Sequence, residues 1–339
     1  MTRPATHPTA EAGDGPHARE FPFETSGSTG RPQRWFRSTE QMRREVDLIA
    51  SDLVGQVDEV VSYAPPHHLF GALFGDWLPR LRGIDVHHAW ADPLTPLHLR
   101  SGSRALIVCV PMTWSILHRS RSALATARSV VALHSSATAP PQARDVVAAT
   151  GPHLRAHEIL GSTETGGIAH RPLAATGTDT GPWHAFADVD LPRARGPVPG
   201  VQDLVVSGPR LARPQTAARP PEHWATGDLV NHLGPRTFRL AGRRGDLIKV
   251  NGRRVHLDQV AALLATRLPG ADCAAIPLAR GTVAGEGYAV FWTTGSTAPA
   301  RIRAALSDLP GPSRLMEVPT IPRLPTGKPD RRRLLALLP

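Results

Sequence analysis

The chain has 339 residues, a formal net charge of +10, two cysteines and 41% hydrophobic residues; this length favours two units, each able to bury its own core. The basic residues are scattered, with no basic helix or interleaved aromatic platform, which argues against nucleic acid while leaving an acidic partner open. No apolar run is long enough to span a bilayer, and residues 1–20 lack the apolar segment of a signal peptide, so a cytoplasmic protein without membrane insertion is expected.

In chain order, the Pro-, Thr- and His-rich residues 1–20 read as a flexible tail, with order beginning near Phe21. From there to about residue 170, short apolar runs (VVSYA, ALIVCV, VVAL) alternate with stretches of helical character at 40–53 and 141–149, the pattern of a parallel α/β sheet. Residues 171–200 are dense in Pro, Gly and Thr and predict an irregular connection. VQDLVVSG and TFRLAGR then predict the strands of a small, barrel-like β-rich subdomain over about 196–244. Beyond Gly245, LIKVNGRRVHL places an Asn-Gly pair between two apolar strands, a hairpin signal, and a helix follows at 258–267. The expected division is a tail at 1–20, a first domain at 21–244 and an α+β domain at 245–339. Cys109 and Cys273 stand outside any metal-ligand spacing and read as buried thiols.

Five fragments carry chemistry. Residues 25–30, TSGSTG, supply hydroxyls and flexible backbone suited to phosphate oxygens, although a solvated linker has the same composition. GSTE at 161–164 sets a hydroxyl beside a carboxylate after an apolar strand, as a Mg²⁺-phosphate site needs and as a helix N-cap also would. WATGD at 224–228 has a glycine turn that aims Asp228 at a neighbour such as a pair of ribose hydroxyls; a solvated turn is the competing reading. The other two, GRRGDLIKVNG at 242–252 and LPTGKPDRR at 324–332, hold Lys249 and Lys328, the only lysines among the 39 basic residues. An ammonium is a compact charge able to follow a moving oxyanion, which a rigid guanidinium fork does not replace.

Each fragment is ambiguous, but their order resembles the signature set of the superfamily of acyl-CoA synthetases, nonribosomal-peptide adenylation domains and luciferases. PPHHLFG at 65–71 resembles its acid-pocket segment, SSATAP at 135–140 the segment lining adenine, and DLVVSGP a further motif, so the likeness spans about 21–333. It implies an adenylate-forming fold with a mobile α+β lid, using ATP and Mg²⁺. Thr25, Ser26, Gly27, Ser28, Thr29 and Gly30 would form the phosphate loop, and Ser135, Ser136, Ala137 and Gly161 the adenine side. Thr163 would hold the α-phosphate, Glu164 the Mg²⁺, and Asp228 with Arg243 the ribose. His68, Gly71, Leu160 and Gly166 would line the acid pocket, with His68 as its gate. Lys328 would bridge carboxylate and phosphate during adenylation. Rotation at the hinge Gly245 would then bring Lys249 and Gly252 to a thiol tunnel for phosphopantetheine or CoA.

The departures matter equally. The phosphate loop arrives at residue 25, where the family normally completes a subdomain first, so a truncated first domain is expected. Gln33 stands where lysine is common, Leu160 where an aromatic usually stacks on adenine, and Gly245 where the hinge is commonly acidic or lysine. Ser135 and Ser136 replace a glycine pair. The leading expectation is a short ligase that loads a small aromatic acid, such as a hydroxybenzoate, onto an acidic acyl carrier protein, resembling ligases of bacterial aryl-polyene-type pigment pathways. His67, His68, Trp77 and Ser136 are candidates to meet a ring hydroxyl. A CoA ligase is the alternative, and a catalytically silent binding protein is the reading from another class.

Overall fold

The computed structural model describes residues 19–25, 33–173, 181–193, 200–244, 247–250, 253–278, 287–324 and 329–338. Five parallel strands lie in the spatial order Asp85–His87, Glu59–Ser62, Arg104–Cys109, Ser129–His134 and Leu154–Ser162. The near-continuous apolar composition of the central strands Arg104–Cys109 and Ser129–His134 reflects burial on both faces. The two-residue period of a strand sends Leu106 and Val108 to one core, with Met42, Ile49 and Phe74, and Ile107 and Cys109 to the other, with Trp114 and Val146.

The β-rich part does not close a separate barrel. Gly166–Pro172, Trp183–Ala185, Thr237–Arg243, Trp224–His232 and Gln202–Val206 continue the same sheet as antiparallel strands, giving ten in all. The link is Trp183–Ala185, which pairs with one neighbour through Ala169↔Ala185 and with the other through Phe238↔Trp183. With partners on both sides, its backbone groups are satisfied by the parent sheet, and no second barrel is needed.

Glu20–Thr25 and Gln33–Ser38 form an antiparallel hairpin, joined by Arg213–Pro214 as a third strand. Helix Thr39–Ile49 starts on a capping box: Ser38 accepts from the Gln41 N–H, and the Gln41 side chain accepts from the Ser38 N–H. The helical stretch expected to residue 53 widens into a π-turn, Ala50–Val54, and ends at Gly55 with φ +73°.

In the C-terminal part, Leu247–Val250 and Arg253–His256 pair as the expected hairpin, followed by helix Leu257–Arg267. Cys273–Leu278, Gly287–Thr293 and Arg314–Val318 form a further sheet. The cores here draw on residues 248–334, whereas the two cores of the large sheet draw on 23–238. Cys109 is buried as expected, but Cys273 is only half-buried because it sits near the end of a strand; burial pushes the Cys109 thiol up, and burial with Asp272 pushes Cys273 up to about 11, which disfavours the thiolate of each. No helix among the described residues is long and apolar enough to cross a membrane.

Three histidines line up across neighbouring strands, His157 to His170 at 6.3 Å and His170 to His184 at 6.2 Å between ring centroids. Among the described residues no group of three or more His, Cys, Asp or Glu is arranged to hold a metal. Burial, then His170 and Arg155, lowers His157 from 6.5 to about 4. Burial and His184 lower His170, against the pull of Asp52. His157 is therefore neutral in the fold between 6.5 and about 4, and in that window the unfolded chain binds more protons; His170 is shifted in the same direction. Stability is full above the unfolded pKa and declines as pH falls through the window. Thermal melts between pH 7 and about 4 should show this decline, and His157→Gln should flatten it; an unchanged slope would remove the row as its cause.

Candidate active site

In an open α/β sheet, ligands bind outside the carboxyl ends of the parallel strands. Three segments named from the sequence follow those ends: 65–71 after Glu59–Ser62, 135–137 after Ser129–His134, and 161–164 at the close of Leu154–Ser162. His68, Gly71, Ser135, Ser136, Ala137, Leu160, Gly161, Thr163 and Glu164 are thereby carried on the same edge of the sheet.

The 135–139 strap is fastened from below. Ser135 Oγ donates to the Ile159 carbonyl at 3.0 Å. Trp114 Nε1 donates to His134 Nδ1 at 2.9 Å; an indole can only donate, so the ring proton sits on Nε2, which donates to the Ala137 carbonyl at 2.8 Å. Burial keeps His134 neutral by lowering its pKa. The Ala139 N–H donates to Glu158 Oε1 at 2.9 Å, while Glu158 Oε2 pairs with Arg171 at 2.6 Å. Ser136 has φ +84°, the one non-glycine residue with positive φ among those described. The serine thus retains a backbone conformation that glycine adopts without strain.

The next turn presents Thr163 and Glu164. Thr165 Oγ1 accepts from the Ser162 N–H at 3.2 Å and donates to the Gly166 carbonyl at 2.8 Å, closing the turn from inside. A side chain at Gly161 would collide with the Gly166 backbone. The Glu164 carbonyl accepts from the Ala212 N–H at 2.8 Å, but its half-buried carboxylate meets no partner among the described residues. One such free carboxylate suits Mg²⁺, which takes one or two carboxylates and completes its shell with water and phosphate oxygens.

Thr25 lies opposite Gln33 and donates to its carbonyl at 3.4 Å, so residues 26–32 connect two paired strands. Ser26, Gly27, Ser28, Thr29 and Gly30 lie outside the described residues, as do Gly245, Gly252 and Lys328. Lys249 belongs to strand Leu247–Val250, opposite Arg254. Asp228 and Arg243 are cross-strand neighbours joined by an ion pair of 2.7 Å. The Asp228 N–H donates to Thr226 Oγ1 at 3.0 Å across Gly227, whose φ is +79°. The expected ribose pair is thus one unit in the structure.

His68 precedes helix Leu69–Ala72, with its ring 4.2 Å from that of His67. Its Nε2 is buried with no hydrogen-bond partner among the described residues, and burial, then His67, lowers its pKa. Gly71 is set by close approach, since a Cβ there would overlap the Pro65 carbonyl. The α-carbon of Gly166 faces the side chains of Glu45 and Arg37, for which it leaves room.

Sequence reasoning missed that pair. Arg37 and Glu45 meet at 2.5 Å, and Arg210 joins Glu45 at 3.4 Å and Asp188 at 2.8 Å. Burial pulls the Arg37 pKa down against the attraction of Glu45; for Arg210 the carboxylates of Glu45 and Asp188 outweigh burial and raise it. The one available signal was Glu45 itself, a charge within the buried Met42, Val46, Ile49 stripe of its helix.

No protein-family model matches the chain. It is 30% identical over 259 residues to a 4-coumarate–CoA ligase of Halorhodospira halophila, covering 76% of this chain and 59% of that protein. It is 34% identical over 143 residues to surfactin synthase subunit 1 of Bacillus subtilis, covering 40% of this chain and 4% of that protein. The chain thus spans under two thirds of the ligase's length. Its fold is shared with the o-succinylbenzoate coenzyme A synthetase of Bacillus subtilis in complex with ATP and magnesium. That match has a TM-score of 0.69 and 16% identity, over 93% of this chain and 69% of the other. The co-linear motifs, the sequence relatives and the common fold agree: the chain belongs to the adenylate-forming superfamily of acyl-CoA synthetases and nonribosomal-peptide adenylation domains.

Proposed function

We propose that the protein activates a small aromatic carboxylic acid with ATP, releasing pyrophosphate, and passes the acyl group of the adenylate to a thiol. The observation that carries this reading is the Glu164 carboxylate, without a partner among the described residues, on the carboxyl edge of the sheet beside the strap at 135–137. In this reading Glu164 holds Mg²⁺, which neutralises phosphate charge. Thr163 and the 25–30 loop bind the phosphates, Ser135 to Ala137 border the adenine, and Asp228 with Arg243 binds the ribose. Lys328 stabilises the negative charge shared by carboxylate and α-phosphate as the C–O–P bond forms and pyrophosphate departs.

An aromatic acid is favoured because relatives are named for 4-coumarate and o-succinylbenzoate. The buried Nε2 of His68, without a hydrogen-bond partner among the described residues, would serve as the group that meets a ring hydroxyl. For the acceptor, the exposed Arg331, Arg332 and Arg333 suit the acidic surface of an acyl carrier protein, whose phosphopantetheine would receive the acyl group. CoA is the second reading, supported by the names of the same relatives.

Pyrophosphate release across a panel of carboxylic acids tests the first step. Hydroxybenzoates should exceed benzoate by about tenfold or more, because a polar group built for the hydroxyl is otherwise left unpaired. Aliphatic acids preferred over every aromatic acid would refute the substrate assignment. With CoA and holo carrier proteins offered together, transfer should go to the carrier and weaken with salt; transfer to CoA alone would assign the second reading.

A further inference from the structure

The buried charges beneath the Glu164 turn connect two segments that the proposed function assigns to the same nucleotide. Arg37 lies on Gln33–Ser38, the strand that leaves the phosphate loop, and Glu45 lies on the helix that follows it. Glu45 Oε2 accepts from Arg37 Nη2 at 2.5 Å, and its Oε1 accepts from the Gly167 N–H at 2.6 Å, 122 residues away in sequence. Gly166 has φ +69°, and any side chain there would strike Glu45 and Arg37. The carboxylate therefore sits directly under the residues that end the Glu164 turn.

The turn is also gripped from its other side. Arg210 forks onto Asp188 with bonds of 2.8 and 2.9 Å, and the Gln41 side chain donates to the Leu211 carbonyl at 2.8 Å. The next residue, Ala212, donates to the Glu164 carbonyl, and Arg213 then pairs in register with Phe36, the neighbour of Arg37. Strand, helix, 210–213 segment and turn thus form a closed circuit through Glu45. Arg37 and Glu45 are 0% and 2% exposed, so neither charge can turn to water as an alternative.

We propose that Glu45, held by Arg37, is a positioning residue that fixes the Glu164 turn relative to the phosphate-loop hairpin, and so sets the affinity for Mg²⁺-ATP. The proposal rests on the assignment of Glu164 to the metal. Groups that orient a metal-binding carboxylate typically cost about 10–100-fold in metal affinity when altered. A group that only stabilises the fold lowers the melting temperature without that selectivity.

Isothermal titration calorimetry of the full chain with ATP, in excess Mg²⁺ and in excess EDTA, separates the two roles. Glu45→Gln should weaken Mg²⁺-ATP by about tenfold and leave metal-free ATP within about twofold. Val46→Ala, a neighbouring core change on the same helix, should lower the melting temperature and alter neither affinity. If Glu45→Gln does not fold, the double variant Arg37→Met with Glu45→Met, which removes both buried charges, carries the same selective loss. Full Mg²⁺-ATP affinity in the folded variant, or equal weakening with and without Mg²⁺, would overturn the proposal alone. A wild-type chain that binds no Mg²⁺-ATP would overturn the functional reading together with it.

Discussion

Lys328→Ala is expected to lower acid-dependent pyrophosphate release by about 10²–10³-fold, as for loss of one preorganised group aimed at charge that develops in a transition state. Lys328 and Lys249 are the two lysines in a chain whose other 37 basic residues are arginine (39 − 2 = 37). A flexible ammonium between Pro325 and Pro329 can track charge as it moves from carboxylate to phosphate; a planar guanidinium is bound to one geometry. Lys328→Arg should therefore rescue little of the loss. Transfer of the acyl group from preformed adenylate to the thiol should fall far less, because no phosphate charge then develops. Equal losses in both half-reactions would instead make Lys328 structural.

Glu158→Ala is expected to be the most destabilising single change near the site. Its carboxylate is 3% exposed and pairs with Arg171, which is 7% exposed and stacks over Trp183 at 4.2 Å. Removing the carboxylate takes this ion pair away from a buried guanidinium, at about 3–5 kcal/mol. For a folded unit of this size that amounts to roughly 10 °C in melting temperature. The same substitution frees the Ala139 N–H and loosens the strap that carries Ser135 to Ala137, so ATP affinity should fall as well. Arg171→Met combined with Glu158→Ala should recover part of the stability, because the buried guanidinium is removed together with its carboxylate, while the strap stays loose. A melting temperature within about 2 °C of wild type for Glu158→Ala would contradict this account.

Much of the architecture is legible in the amino-acid sequence. The runs ALIVCV and VVAL became the central strands Arg104–Cys109 and Ser129–His134 because continuous apolar composition has few other solutions. The pairing of Val250 with Arg253 followed from the Asn-Gly signal between them. The order of the motifs led to the family, and Asp228 and Arg243, named separately from their motifs, lie side by side.

What the sequence by itself determined was therefore local: strand and helix periods, turn chemistry, and the order of the short motifs, each decided within about ten residues. Tertiary structure alone decided that the antiparallel strands join the parent sheet, that Glu158 and Arg171 fasten the 135–139 strap, and that Glu45 bolts Gly167 to Arg37. Periodicity could mark Glu45 as a charge on an apolar face. It could not supply the guanidinium and backbone N–H that make its burial tolerable, because a buried charge is stabilised only by partners that folding brings from distant parts of the chain.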